Sequence, residues 1–189
     1  TWQHPDEDFE RGVIAIADAA NGAARETLEG FVAEITGFGR SNSLSAKLLQ
    51  LTGPGVPDVY QGSELWDLSL VDPDNRRPVD FAAHAQLLGA LDTDVAHGLL
   101  PAVDGTGLAK MLVTSRALRL RRDHSELFTR YRPAEVVGDA SAHAVAVDRG
   151  RVTVVATRLP VGLAARGGWG DTLLMRPDSA ATDVLTGRR

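Results

Sequence analysis

Residues 51–81 read LTGPGVPDVYQGSELWDLSLVDPDNRRPVDF, and the fold prediction depends on this stretch. It opens with the turn-forming sequence Gly-Pro-Gly at 53–55, followed by a short apolar run at 56–60 that predicts a buried strand. Pro57 limits the pairing of that strand, because proline donates no backbone hydrogen bond. The polar loop then begins at the carboxyl end of the strand, where β/α barrels place their active sites. We therefore expect one wall of a binding site after residue 60.

The residues before this stretch predict helices. Proline and acidic residues at 5–8 suit a first helical turn, and apolar residues recur at helical spacing from residue 9 to 35. The Asn21-Gly22 pair leaves open whether this is one helix or two. Gly37 and Gly39 are expected to end it, and Ser41-Asn42-Ser43 to cap a further helix that reaches residue 51.

The residues after this stretch predict two more helices and then strands. Helical patterns cover residues 78–91 and 108–122, with a surface loop between them. From residue 131 the pattern changes to short β-branched or aliphatic runs at 145–147, 152–156, 173–175 and 184–185. Asp148-Arg149-Gly150 predicts a hairpin between the first two of these runs. A domain this small is expected to pack on the preceding helices.

The composition excludes several classes of protein. The 189 residues contain 20 basic and 25 acidic side chains, a net charge of −5, which argues against a nucleic-acid partner. No apolar run approaches the ~20 residues of a membrane span, so we expect a cytoplasmic protein without a membrane partner. With no cysteine and five dispersed histidines, neither a metal site nor a cofactor is expected. The start at Thr1, in a loop entering a helix, predicts a piece of a longer chain.

The sequence GPGVPDVYQGSE at 53–64 resembles the end of the eighth barrel strand in the α-amylase superfamily of glycoside hydrolases. The whole stretch 51–81 narrows the resemblance to the malto-oligosyltrehalose synthase family. The opening TWQHPDEDFE, the linking GRSNSLSAKLLQLT, the helix RALRLRRDHSELF and the final DVLTG are similar as well. The resemblance covers essentially the whole chain but only the C-terminal part of the much longer family members.

The resemblance implies a fold and a reaction. The fold is α/β plus all-β: residues 1–130 hold the last helices, the eighth strand and the substrate-side loop of a (β/α)8 TIM barrel. Residues 131–189 form an antiparallel, β-sandwich-like C-terminal domain. The family converts the reducing-end α-1,4 linkage of a malto-oligosaccharide into an α,α-1,1 linkage by intramolecular transglycosylation with retention. Its catalytic carboxylates lie on earlier strands, so this chain contributes no catalytic residue and its partner is the N-terminal portion of the enzyme.

The loop supplies the candidate residues for binding malto-oligosaccharide. They are Tyr60, Gln61, Trp66, Asp72, Asp74, Arg76 and Arg77. The Asp and Arg residues either hydrogen-bond sugar hydroxyls or form ion pairs that fix the loop, and Trp66 either stacks on a pyranose ring or anchors the loop. Structural or supporting roles are expected for Glu64, Asp67 and Asp80.

Two other functions remain open. The first is a hydrolase or glucanotransferase of the same superfamily, in which water or another glucan accepts the glycosyl unit. The second is a non-catalytic carbohydrate-binding module. The helical first half of the chain argues against the second, because sugar-binding modules are usually built of β-strands alone.

Overall fold

The computed structural model of the chain describes residues 3–176 and 180–188. It divides into two compact units, Thr1–Gly37 and Phe38–Arg189. Helices dominate up to residue 123, and small antiparallel sheets follow. In the part of the chain that the structure describes, no helix combines the length and the apolarity needed to cross a bilayer.

Helix α1 runs from Glu7 to Thr52 without a break. Asp6 caps its start by accepting a hydrogen bond of 3.0 Å from the backbone N–H of Phe9, as the acidic first turn predicts. The predicted end at Gly37 and Gly39 is wrong. A helical glycine costs only about 1 kcal/mol relative to alanine, which weakens a long helix without ending it.

The predicted helix cap at 41–43 is also wrong, since these three residues lie inside α1. Helix α1 ends where the Gly-Pro-Gly turn begins, as predicted. The last turn is closed by a hydrogen bond of 2.9 Å from the Gly53 N–H to the Leu49 carbonyl. Leu51, the last apolar residue of the helix, is 0% exposed.

Residues 56–60 form no strand, contrary to the prediction. A strand needs a neighbour to pair its backbone groups, and none pairs with this run among the residues that the structure describes. Val56 is 96% exposed, although a central barrel strand would bury it.

Helices α2 (Phe81–Ala96) and α3 (Leu108–Asp123) form the support of the loop. Helix α3 agrees with the prediction, and α2 extends beyond the predicted end at residue 91. Leu91 of α2 and Met111 and Leu112 of α3 form a buried cluster, against which Leu65 of the loop packs. Arg119 of α3 donates two hydrogen bonds of 2.6 and 2.7 Å to the carboxylate of Asp92 in α2.

The remaining residues form two antiparallel sheets. Strands β1 (Phe128–Pro133), β3 (Ala144–Gly150) and β4 (Thr153–Thr157) make a sheet in the order β1-β3-β4, and β2 (Val136–Val137) pairs with β5 (Leu173–Leu174). The β3–β4 hairpin confirms the turn predicted at 148–150. Strand β1 was not predicted, and residues 184–185 form a turn instead of a strand. A short helix α4 (Pro160–Ala165) follows β4.

Replacing Gly89 with alanine should raise the free energy of unfolding by about 0.5–1 kcal/mol, because alanine is the better helix former. Gly89 is exposed within α2, and a Cβ atom there meets nothing within 4 Å. Urea denaturation measures the change. A loss of stability would contradict this, and would show that another part of the protein packs against α2 at Gly89.

Candidate functional site

The loop between α1 and α2 surrounds a concave site of about 350 Å³. Four of the seven residues predicted to contact substrate line it, namely Gln61, Trp66, Asp74 and Arg77. Asp67 and Asp80, predicted as supporting residues, line it as well. Tyr60, Asp72 and Arg76 do not contribute to its lining.

Two ion pairs hold the far end of the loop. Arg76 donates a hydrogen bond of 2.6 Å to the Asp72 carboxylate, and Arg77 pairs with Asp74. The second oxygen of Asp74 accepts a hydrogen bond of 2.7 Å from the Leu70 backbone N–H. Both pairs join residues three or four apart and are largely exposed. They fix the local shape of the loop and leave the remaining guanidinium N–H groups free to contact a ligand.

Asp74 is held as an anion. Its pKa lies below the ordinary value, first because of the hydrogen bond from the Leu70 N–H and then because of Arg77. Asp67 behaves similarly: it accepts hydrogen bonds of 2.6 Å from the Ser69 hydroxyl and 2.9 Å from the Ser69 N–H, which lower its pKa. Such carboxylates accept hydrogen bonds from hydroxyl groups but are poorly suited to donate a proton.

The lowered pKa of Asp74 makes the loop less stable in acid. The group binds its proton more weakly in the folded loop than at its ordinary pKa of 3.8. Its contribution to stability is therefore complete above this pH and is lost as the pH falls through the lower folded pKa. We expect the Leu70 amide resonance to titrate in this range in an NMR experiment. In an Asp74→Asn variant the titration should vanish, and a titration that persists would contradict the assignment.

The other residues of the loop are held mainly by backbone groups. Gln61 donates a hydrogen bond of 3.4 Å to the Arg77 carbonyl, which joins the two ends of the loop. The indole N–H of Trp66 donates a hydrogen bond of 2.8 Å to the Asp104 carbonyl. Asp80 caps α2 by accepting a hydrogen bond of 2.9 Å from the Ala83 N–H. The edge of the Trp66 indole is therefore fixed by the segment before α3, and the residue lines the site.

Tyr60 and Glu64 lie at the near end of the loop. Tyr60 is 45% exposed, and its backbone carbonyl accepts a hydrogen bond of 2.7 Å from the Ser63 hydroxyl. A carboxylate oxygen of Glu64 lies 2.5 Å from Nδ1 of His84, and both side chains are mostly buried. Glu64 is thus engaged by His84 of α2, which also lines the site.

Lys47 and Lys110 are the functional candidates that the sequence analysis did not single out. They are 8% and 7% exposed. The Lys110 ammonium donates a hydrogen bond of 2.9 Å to the Leu65 carbonyl and lies 5.8 Å from the centroid of the Trp66 ring. The Lys47 ammonium donates a hydrogen bond of 3.4 Å to the Ser63 hydroxyl. One signal was available: the chain has two lysines among 20 basic residues, and both contact this loop.

Burial lowers the pKa of both lysines. The negative charge of Glu64 acts in the opposite direction on each of them and does not compensate for burial. The underside of the loop thus carries two poorly solvated cations. Glu64 acts on both of them, Asp58 on Lys47 and Asp67 on Lys110.

Solved structures of maltooligosyltrehalose synthases match this fold along nearly the whole chain. The structure of maltooligosyltrehalose synthase from Arthrobacter ramosus shares 54% identity over 97% of the chain, with a TM-score of 0.89. Another crystal structure, of a maltooligosyl trehalose synthase, shares 26% identity over 100% of the chain, with a TM-score of 0.70. No family model matches the chain.

A curated protein of Mycobacterium tuberculosis (strain H37Rv), named provisionally as a maltooligosyl trehalose synthase, is 44% identical over 99% of the chain. These matches confirm the resemblance to the maltooligosyl trehalose synthases. The chain spans about a quarter of the length of these relatives, 23% of the curated protein and 24% of the Arthrobacter ramosus chain.

Proposed function

We propose that this chain is the C-terminal part of a maltooligosyl trehalose synthase. The enzyme would convert the reducing-end α-1,4 linkage of a malto-oligosaccharide into an α,α-1,1 linkage by intramolecular transglycosylation. The observation that carries the proposal is the 54% identity to the Arthrobacter ramosus synthase over 97% of the chain.

In this proposal residues 1–130 complete a (β/α)8 barrel, and residues 131–189 form its C-terminal β domain. Residues 56–60 would become the eighth strand once neighbouring strands are present to pair with it. The exposure of Val56 supports this role, because this apolar residue is 96% exposed and has no strand partner within residues 3–176 and 180–188. The loop after residue 60 would then lie at the carboxyl end of the barrel, on the substrate side.

The partner of the chain would be the N-terminal portion of the same enzyme, which carries the catalytic carboxylates. The exposed apolar side chains of α1 support a covering partner. Phe9, Ile16 and Phe31 are 69%, 72% and 57% exposed, although they recur on the helix at the spacing of a buried face.

The loop would bind the sugar without taking part in the bond changes. In a retaining mechanism an aspartate attacks the anomeric carbon and a glutamic acid protonates the leaving oxygen, with the two carboxyl groups about 5–5.5 Å apart. The released glucose must stay bound, turn over and present its anomeric hydroxyl to the glycosyl-enzyme. Asp74 and Asp67 offer ionised acceptors, Arg77 and Gln61 offer donors, and Trp66 offers a flat apolar surface. Together they suit a site that retains glucose and excludes water.

Product analysis with maltopentaose tests this function in the full-length enzyme. The proposal expects loss of the reducing end and a new α,α-1,1 anomeric signal by NMR, with little free glucose. Free glucose and maltose without the trehalosyl product would identify a hydrolase. Longer and shorter malto-oligosaccharides would identify a glucanotransferase, and binding without turnover would identify a carbohydrate-binding module.

Replacing Arg77 with alanine tests the contribution of the loop. We expect KM for maltopentaose to rise about ten-fold, since the variant loses sugar contacts and releases Asp74. Arg122→Ala is the matched control, because Arg122 is exposed at the end of α3 and pairs with the adjacent Asp123. Equal kinetics for the two variants would show that Arg77 of the loop does not contribute to substrate binding.

A further inference from the structure

Lys110 lies in a place where its charge is costly. It lies in the first half of α3, where residues 109–114 are all buried, and is 7% exposed. An ammonium group loses its hydration on burial and needs a well-placed partner to compensate for it. Within residues 3–176 and 180–188 no carboxylate forms an ion pair with it, and its one hydrogen bond goes to the Leu65 carbonyl. An unbranched apolar side chain would fill the same space at lower cost, so stability alone does not explain a lysine here.

The contacts of Lys110 converge on Trp66. The ammonium donates a hydrogen bond to the carbonyl of Leu65, the residue before Trp66. It also lies 5.8 Å from the centroid of the Trp66 indole ring, within the range of a cation–π contact. The indole N–H is held at 2.8 Å by the Asp104 carbonyl. Asp104 is fixed in turn, because its carboxylate accepts a hydrogen bond of 2.9 Å from the Thr106 N–H.

Gly107 is the third residue of the segment 104–110 that contacts Trp66. A Cβ atom at Gly107 would lie 3.0 Å from the Trp66 backbone nitrogen, so the loop backbone approaches the start of α3 as closely as glycine allows. The Trp66 backbone, ring face and ring edge are therefore all held by residues of the segment 104–110. Trp66 is one of the residues that line the concave site.

We propose that Lys110 is a positioning residue that holds Trp66 in the wall of the site and so fixes where a pyranose ring of the substrate stacks. The inference rests on the proposed function for the identity of the substrate. Its structural part, the hold on Trp66, stands on the contacts alone. Lys47 acts beside it on Ser63, whose backbone and hydroxyl close the turn onto the Tyr60 carbonyl.

Lys110→Met tests the proposal, because methionine keeps the length and apolar stem of lysine and removes its charge. The matched control is Arg119→Met, which removes a cation from the same helix but breaks the pair with Asp92, away from the loop. Two measurements apply to both variants of the full-length enzyme: hydrogen exchange of the Ser63 and Leu65 amides, and kinetics with maltopentaose.

We expect Lys110→Met to speed exchange of both amides about ten-fold or more and to raise KM about ten-fold, with kcat changed less than about two-fold. Lys110→Arg should bring KM back to within about three-fold of the wild type, because the charge and the donor to Leu65 remain. Arg119→Met should leave the exchange rates and KM unchanged.

Equal behaviour of Lys110→Met and Arg119→Met would overturn the positioning role. A fall in kcat at constant KM would overturn it too. If the wild-type enzyme forms no trehalosyl product, the proposed function fails separately. The exchange rates of the two amides then decide by themselves whether Lys110 holds the loop.

Discussion

Replacing Arg121 with alanine lowers the free energy of unfolding by about 3 kcal/mol, because the variant leaves partly buried carbonyl groups without a charged donor. The Arg121 guanidinium donates hydrogen bonds of 3.0 Å to the Leu51 carbonyl and 2.8 Å to the Gly53 carbonyl, and a further one to the Gly55 carbonyl. It thus ties α3 to the end of α1 and to the turn that leads into the loop. Urea denaturation measures the loss.

Arg122→Ala is the control for this result. Arg122 is adjacent in sequence and largely exposed, and it pairs with Asp123 on the surface. Exposed ion pairs contribute little, so the urea midpoint should hardly move. Arg121→Lys should recover only part of the loss, since an ammonium is a compact charge that does not span three carbonyls. If Arg121→Ala and Arg122→Ala behaved alike, the role given to Arg121 would be wrong.

The second large effect is expected at Gly150, where alanine should cost more than about 3 kcal/mol. Gly150 ends β3 with a φ of +109°, a conformation that side chains with a Cβ rarely adopt. A Cβ atom there would also lie 2.9 Å from the Leu127 carbonyl oxygen and closer still to the Thr129 hydroxyl. The loss should appear in the thermal unfolding of the chain.

Gly167→Ala separates the two causes. Gly167 also has a positive φ, +87°, but nothing lies within 4 Å of a Cβ atom placed there. It should cost about 1 kcal/mol, the strain of the backbone alone. A loss at Gly150 no larger than the loss at Gly167 would show that β1 moves aside at no cost.

The helices were largely predictable because their causes are local. The pattern at 108–122 predicts α3, found at Leu108–Asp123, since its apolar residues recur at helical spacing. The ends were less predictable. Gly37 and Gly39 lie inside α1, because the helix continues wherever its hydrogen bonds outweigh the small cost of a glycine.

Strand pairing was harder to predict because it depends on distant residues. The 148–150 hairpin joins neighbouring runs, and its prediction is confirmed. Strand β1 has the sequence FTRYRP, in which polar residues are mixed with apolar ones and a proline stands last. It contains no apolar run of the kind that indicated the other strands. Residues 56–60 do have the composition of a strand, but a strand forms only where a neighbour pairs with it.

For the site too, contacts between residues close in sequence were predictable and contacts between distant residues were not. The Asp72–Arg76 and Asp74–Arg77 pairs join residues close in sequence, so their partners could be proposed from spacing. Whether these residues also contact sugar stays a prediction. Lys47 and Lys110 lie 16 and 45 residues from the loop atoms they contact, and only the packing of α1 and α3 brings them there.

The burial of both lysines also determines how readily lysine-specific proteases cleave the folded chain. An enzyme that cleaves after lysine finds its two sites inside the fold, so cutting there requires the surrounding helices to open. Trypsin also cleaves after arginine, and the side chains of Arg11, Arg25 and Arg76 are exposed. The rate of lysine-specific proteolysis, set against that of trypsin, therefore reports the opening of the segments that carry the loop.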